Sequence, residues 1–302
     1  MTEWSKGFWA MVLACVVWGF CPLFYHLMVG VPVLEVLAFR TLFSLVFFVF
    51  LLAAQGRVAL LREALSGPHL PKICLAALVI SLNWGIFIWA VQSGHVVESS
   101  LGYYIFPLVA VLAGVLAFGE RLSTLQRFAI GLAAFAVALL SWGLGAAPWI
   151  SLVLAISFGL YGVVKKTLPM GPVVSVACEV AILGPIALGW LLLQGFGALP
   201  DPFPQGLVFG TDLRLTLLLI SSGVVTALPL ILFSYATRRV GMATIGIMQY
   251  INPTLQFFCA VAIFGETVTG WHMIAFPLIW LALALYSAPA IRRGAFGLRQ
   301  ST

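Results

Sequence analysis

Aspartate is nearly absent from this chain of 302 residues: only Asp201 and Asp212 occur. No aspartate pair or cluster can therefore stand within its long apolar runs, which excludes catalytic or cation sites built on that residue there. Charged residues of all kinds make up 8% of the sequence against 63% hydrophobic, and the mean hydropathy is +1.13. A soluble fold has too few buried positions for so much apolar side chain, so a soluble domain is excluded. His26, His69, His95 and His272 scatter over different connections and span ends, and no metal site is expected from them. Cys15, Cys21, Cys74, Cys178 and Cys259 lie in apolar stretches with no ligand or pairing spacing, so they are expected as small packing residues. The glycine pairs form no phosphate-cradling pattern, and no cofactor is expected. An intramembrane enzyme would need a convergent acid, base or metal cluster, and the scarcity of such groups argues against one.

What the chain has is length enough to cross a bilayer many times. A span of about 20 residues crosses a hydrocarbon core. Ten such apolar spans are expected, at residues 8–28, 35–54, 72–92, 98–118, 126–142, 148–164, 174–194, 213–235, 243–264 and 271–290. Most linkers are short, as antiparallel neighbours require. The longest, residues 195–212, is rich in Gly and Pro and reads as a surface loop.

Two segments repeat. Tyr104-Ile105-Phe106-Pro107, followed by Gly119-Glu120, returns as Tyr250-Ile251-Asn252-Pro253 with Gly265-Glu266, at a constant offset of 146 residues. The same offset aligns Trp89-Ala90 with Tyr235-Ala236. Each half is thus one copy of a unit, residues 1–146 and 147–302. Five spans, an odd number, separate one copy of the motif from the next, so the copies cross the membrane in opposite directions. That makes an all-α membrane protein of two inverted five-helix repeats, an architecture of secondary transporters.

The distribution of basic residues carries the orientation. Thirteen of the fifteen Lys and Arg flank alternate connections: Lys6, Arg57, Arg62, Lys72, Arg121, Arg127, Lys165, Lys166, Arg238, Arg239, Arg292, Arg293 and Arg299. Arg214 opens the eighth span on the opposite side, and Arg40 lies inside the second. By the positive-inside rule both termini are expected in the cytoplasm. The net charge of +6 then reflects membrane orientation, and no nucleic-acid partner is expected.

Trp18-Gly19, Asn83-Trp84 with Trp89-Ala90, Glu98-Ser99-Ser100-Leu101-Gly102-Tyr103 and Gln249-Tyr250-Ile251-Asn252-Pro253 resemble the EamA drug/metabolite transporter family. Within it they look most like the RarD branch, and the resemblance covers almost the whole chain. It implies a ten-helix bacterial inner-membrane transporter of two inverted halves that moves small metabolites, amino acids or drugs, generally outward. It does not fix the substrate. Arg238-Arg239-Val240 departs from the looser polar turn of the family, which alters a loop and leaves the other motifs intact.

Polar groups inside spans are costly in hydrocarbon and generally face protein or a water-filled cavity. Asn83 lies near the middle of the third span, and Gln249 and Asn252 lie three apart on the ninth, hence on one face. Trp18, Trp84, Tyr103, Tyr161 and Tyr250 would add aromatic walls with hydrogen-bonding edges, suited to a partly apolar organic solute. Arg40 is placed to bind a solute carboxylate or to pair with Glu98 at the start of the fourth span. Glu179 in the seventh span is a candidate for carrying a coupling proton, with Glu98 a second. Snorkelling or a fixed structural pair is the competing role for Arg40 and Glu179. Pro107 and Pro253 each remove a helix hydrogen bond at matching positions and mark bent helices that line a cavity or flex. Glu120 and Glu266, at helix ends where a carboxylate is disfavoured, read as structural. Ser123-Thr124-Leu125-Gln126 has capping-box spacing for the fifth helix.

The function expected from these residues is alternating-access transport of a small organic solute, as an exporter, with lipid around it and a monomer as the unit. A channel-like protein or a non-transporting scaffold is the alternative.

Overall fold

A computed structural model describes residues 2–119, 122–145, 149–199, 206–265 and 269–297. Among them every regular element is helical. In chain order the helices are α1 (Glu3–Gly19), α2 (Cys21–His26), α3 (Val33–Ala54), α4 (Val58–Leu65), α5 (Leu70–Gln92), α6 (Val96–Phe118) and α7 (Thr124–Leu144). They continue as α8 (Trp149–Thr167), α9 (Pro172–Gly195), α10 (Leu213–Thr237), α11 (Met242–Met248), α12 (Ile251–Ala262) and α13 (Gly270–Gly297). Eight stretches are long and apolar enough to cross a membrane, with α1 and α2 together counted as one, Glu3–His26. A shorter apolar stretch, Gly270–Tyr286, follows within α13.

The surface has the polarity of a protein that lives in lipid. Phe50 is 73% exposed, Leu116 76% and Trp142 77%, whereas Asn83, Gln249, Asn252 and Gln256 are buried. Apolar side chains outside and amides inside satisfy both the bilayer and the buried polar groups.

Local chemistry sets the helix ends. Thr2 caps α1 by accepting a hydrogen bond from Ser5 N at 3.1 Å. Asp212 caps α10 through Leu215 N at 2.7 Å. The capping box expected at Ser123 forms in full, with Gln126 N donating to Ser123 Oγ and Ser123 N to Gln126 Oε1. Gly119 and Gly265, the repeated glycines, hold left-handed φ of +63° and +70°, a conformation that other residues adopt only with strain. Their neighbours Glu120 and Glu266 lie outside the described residues.

Three features depart from the ten-span expectation. The ninth span is not one helix: α11 and α12 are separated at Gln249 and Tyr250. Pro253 then falls in the first turn of α12, where a missing N–H costs little, and Asn252 N takes the Gln249 carbonyl at 3.0 Å. The matching Pro107 stands within an uninterrupted α6. The two prolines therefore share a register without sharing a conformation, because an interruption of the helix relieves only one of them. The third feature is α4, which lies in what the sequence showed as a linker; it lays Leu61, Ala64 and Leu65 against the main core beside α9.

Helix pairings come in corresponding sets. α1 packs on α10 and α12 as α8 packs on α5 and α6, while α3 lies on α9 and α7 on α13. A Cβ on Gly19 would lie 2.5 Å from Leu255 Cβ, and one on Gly159 would lie 2.5 Å from Val109 Cγ1. Val109 and Leu255 differ by the 146-residue offset of the repeat, so each pairing brings a glycine of one helix under the same position of the duplicated motif.

The loop after α9 is tied down by a residue whose role the sequence did not suggest. Glu35, fully buried at the start of α3, accepts hydrogen bonds from Val208 N at 2.9 Å, Phe209 N at 3.0 Å and Gln194 Nε2 at 2.9 Å. Phe209 is also stacked on Phe39, with ring centroids 4.4 Å apart. Glu35→Ala is expected to destabilise the protein by roughly 3 kcal/mol, since one buried and two part-buried donors lose their acceptor. Thermal unfolding in detergent, read beside Glu35→Gln, measures it; an unchanged midpoint in both variants would refute the anchoring role.

Candidate functional site

One buried cavity is lined by helices from both the N-terminal and the C-terminal part of the chain. Trp18 of α1, Arg40 of α3, Asn83 and Trp84 of α5, Tyr103 of α6, Gln249 at the α11–α12 break and Asn252 of α12 all line it. These are seven of the nine residues expected to touch a solute, drawn from positions 18 to 252 of the chain. The cavity measures about 30 Å³. On the scale where one water needs about 10–15 Å³, it has room for water and not for a drug-sized solute. A larger guest would require helices to separate.

Each polar group in the wall has a specific disposition. Asn83 Nδ2 donates to the Leu154 carbonyl and to Ser157 Oγ, both at 2.9 Å, so this amide fastens α5 to α8 as well as facing the cavity. Tyr103 hydroxyl reaches Asn83 Oδ1 at 3.4 Å. Gln256 Nε2 donates to Asn252 Oδ1 at 2.8 Å, one helical turn away. Gln249 Oε1 faces Cys15 Sγ at 3.5 Å. Gln249 Nε2, Gln256 Oε1 and Arg40 Nε are buried with no hydrogen-bond partner.

Arg40 is 3% exposed. Its guanidinium carbon stands 3.8 Å from the centre of the Trp84 ring and 5.6 Å from that of Tyr25. The pairing with Glu98 that the sequence left open does not form among the described residues: Glu98 is only half-buried, and its backbone carbonyl accepts from Ser151 Oγ at 2.7 Å. Among the described residues the charge of Arg40 is answered by the ring faces of Trp84 and Tyr25.

Tyr161 and Tyr250 do not belong to this cavity. Tyr250 lies by Tyr104 and lines a separate small void with Pro107, Ala129 and Tyr286. Tyr161 donates its hydroxyl to Glu179 Oε2 at 3.0 Å. Glu179 in turn holds Lys165 Nζ at 2.6 Å, with side-chain exposures of 1% and 0%. Lys165 is thus no flanking cation; it ends α8 inside the protein and also donates to Ser175 Oγ. Between this pair and the cavity stands a block of rings. Phe158 meets Trp18 at 5.4 Å, Phe106 at 4.9 Å, Phe233 at 5.2 Å and Tyr161 at 6.1 Å.

Tyr25, Phe158, Thr226 and Gln256 also line the cavity, and sequence reasoning did not select them. Gln256 had a signal, four residues after Asn252 and hence on the same face. The others had none, because their depth depends on how α2, α8 and α10 pack.

The EamA-like transporter family matches this chain twice, over residues 5–142 and 146–288. Protein RarD of Streptomyces exfoliatus is 43% identical, over 91% of this chain and 86% of that one. Protein RarD of Escherichia coli (strain K12) is 35% identical over 95% of each chain. The chloramphenicol-sensitive protein RarD of Pseudomonas aeruginosa is 31% identical over 93% of each. A solved crystal structure shares the fold at 18% identity, with a TM-score of 0.67 over 94% of this chain and 98% of its own. With matches of this extent on both halves, the chain belongs to the EamA-like transporter family, in its RarD branch, and is a multi-pass membrane transporter.

Proposed function

We infer that the protein is a secondary transporter of small organic solutes, working by alternating access as an exporter in the bacterial inner membrane. Ten membrane crossings, counting α11 with α12 as one and α13 as another, form two inverted halves, residues 1–146 and 147–302, with both termini cytoplasmic. The observation that carries this reading is the cavity lined by Arg40, Asn83, Gln249 and Asn252 from both halves, bearing unpartnered amide atoms yet too small for its guest. A site that must widen to admit a solute is what a carrier needs; a channel needs a continuous path and a scaffold needs no cavity. The block of rings around Phe158 and the Lys165–Glu179 pair act as the closed side, and the paired helices of the two halves rock about the cavity to open it. Glu179 is the coupling candidate, since any proton it accepts releases Lys165.

Counterflow in proteoliposomes tests this. Labelled chloramphenicol, suggested by the name of the Pseudomonas aeruginosa relative, is the first probe, followed by labelled amino acids. Exchange stimulated by unlabelled solute on the far side is expected. Asn83→Ala, Gln249→Ala and Asn252→Ala should each reduce it about tenfold, the effect of losing one hydrogen bond worth ~1.4 kcal/mol. Flux without such stimulation would indicate a channel, and normal exchange in all three variants would remove this cavity from the pathway.

A further inference from the structure

Arg40 presents a charge that the fold itself leaves unanswered. It is buried, its Nε has no hydrogen-bond partner, and no acidic side chain among the described residues lies within salt-bridge distance. Burying an ion without a counter-ion is costly enough that one is normally supplied.

In the other half of the molecule the corresponding cation has its counter-ion. The equivalent crossings at Gly19 and Gly159 align the first helices of the halves with an offset of 140, which places Tyr25 on Lys165 and Cys21 on Tyr161. Arg40 then falls one position from Glu179. In the second half the cation and carboxylate at these places neutralise each other at 2.6 Å. In the first half the cation has only the rings of Tyr25 and Trp84, and it opens on the cavity. The same scaffold position is closed by an internal ion pair on one side and left open on the other.

We propose that the missing counter-ion is the solute: the cavity takes a monocarboxylate with a flat aromatic body, bound through Arg40. This rests on the transporter reading and names its substrate class. One guanidinium balances one negative charge, so a phosphate dianion would enter with charge left over. Gln249 Nε2 offers a second donor from the opposite half, and Gln256 Oε1 and Thr226 Oγ1 are unpartnered acceptors able to receive an N–H or O–H from the solute. Trp18, Trp84, Phe87, Tyr103 and Phe158 form walls that suit a planar apolar body. The guanidinium, its carbon 3.8 Å from the centre of the Trp84 ring, has an unpartnered Nε to donate to a carboxylate, the group whose geometry a guanidinium fork matches.

The test compares phenylacetate with its neutral isostere phenylacetamide on the purified full chain, by thermal unfolding in detergent. Phenylacetate is expected to raise the midpoint by ~2 °C or more, and phenylacetamide not to do so. Arg40→Gln should abolish the shift, and Arg40→Lys should retain part of it. Without ligand, Arg40→Met should unfold at a higher temperature than the wild type, because an uncompensated charge has gone. Equal shifts from both compounds, a phenylacetate shift that survives in Arg40→Gln, or no shift from either would overturn the proposal. So would a lower midpoint for Arg40→Met, which would make the guanidinium a structural post for Trp84. Exchange of neutral chloramphenicol that is indifferent to Arg40→Gln would remove the anion assignment and leave the transporter reading standing. An Arg40-dependent phenylacetate shift in a protein that exchanges nothing would do the reverse.

Discussion

Lys165→Met and Glu179→Gln are each expected to cost about 3–5 kcal/mol of stability, because each leaves its buried partner without a counter-charge. The two side chains are 0% and 1% exposed and 2.6 Å apart, so no water stands ready to replace a lost partner. The remaining contacts do not suffice. After Lys165→Met the carboxylate keeps the Tyr161 hydroxyl at 3.0 Å and Ser175 Oγ at 3.5 Å, two neutral donors for a full charge. The double variant Lys165→Met/Glu179→Leu should recover most of the loss, and adding Tyr161→Phe should recover more by removing a hydroxyl that no longer has an acceptor. A double-mutant cycle on unfolding midpoints measures the coupling; additive single losses would show that the pair is not the unit of stability. Transport separates the structural role from the coupling role. If Glu179 carries the coupling proton, the refolded double variant should still exchange solute but no longer respond to a pH gradient. An unchanged response would remove Glu179 from coupling while leaving its structural role intact.

This pair shows where the sequence stops being legible. Lys165 and Lys166 sit together in the chain, and both read as basic flanks of a cytoplasmic connection. Only the packing of α8 against its neighbours carries the first inside, while the second lies 4.6 Å from the centre of the Phe118 ring. Tyr161 is hard to place for the same reason: an aromatic residue with a polar tip fits a cavity wall and an ion-pair network equally well, and helical periodicity does not separate them. The helices themselves were plain. The second and third spans, expected at 35–54 and 72–92, appear as Val33–Ala54 and Leu70–Gln92, since unbroken apolar length is a direct physical signal. The division of the ninth span was invisible because residues 243–264 keep the overall apolar length of one span despite Gln249 and Asn252 at the break, and Pro253 could be read as bending a helix when it lies in the first turn of one. Arg40, Asn83, Gln249 and Asn252 could be found because polar atoms are expensive in hydrocarbon and therefore conspicuous. Glu35 escaped notice at a span boundary, where a carboxylate attracts no attention until the loop it holds is seen.

The largest single-site disruption is expected at Gly223, where α10 crosses α3. A Cβ there would lie 2.5 Å from the Phe43 carbonyl carbon and 2.7 Å from Ser44 N. Those are backbone atoms, so no side-chain rotation relieves the clash and the helices must move apart. Separation would also stretch the bond from Ser44 Oγ to the Gly223 carbonyl, now 3.0 Å. Gly223→Ala should cost about 1–3 kcal/mol, the ordinary penalty of overpacking, and Gly223→Val should prevent recovery of folded protein. Gly131→Ala is the control: it lies in α7 with nothing within 4 Å of the added carbon, and helix propensity should make it neutral or slightly stabilising. Monodispersity and unfolding midpoint in detergent measure all three, and a stable, monodisperse Gly223→Val would show that the crossing is loose. The consequence for transport follows from position. Thr226, one turn beyond Gly223, and Arg40, one turn before Ser44, both line the cavity. A shift forced at the crossing therefore moves two cavity walls relative to each other, so Gly223→Ala should weaken solute affinity even where the protein folds, although neither Gly223 nor Phe43 touches the cavity.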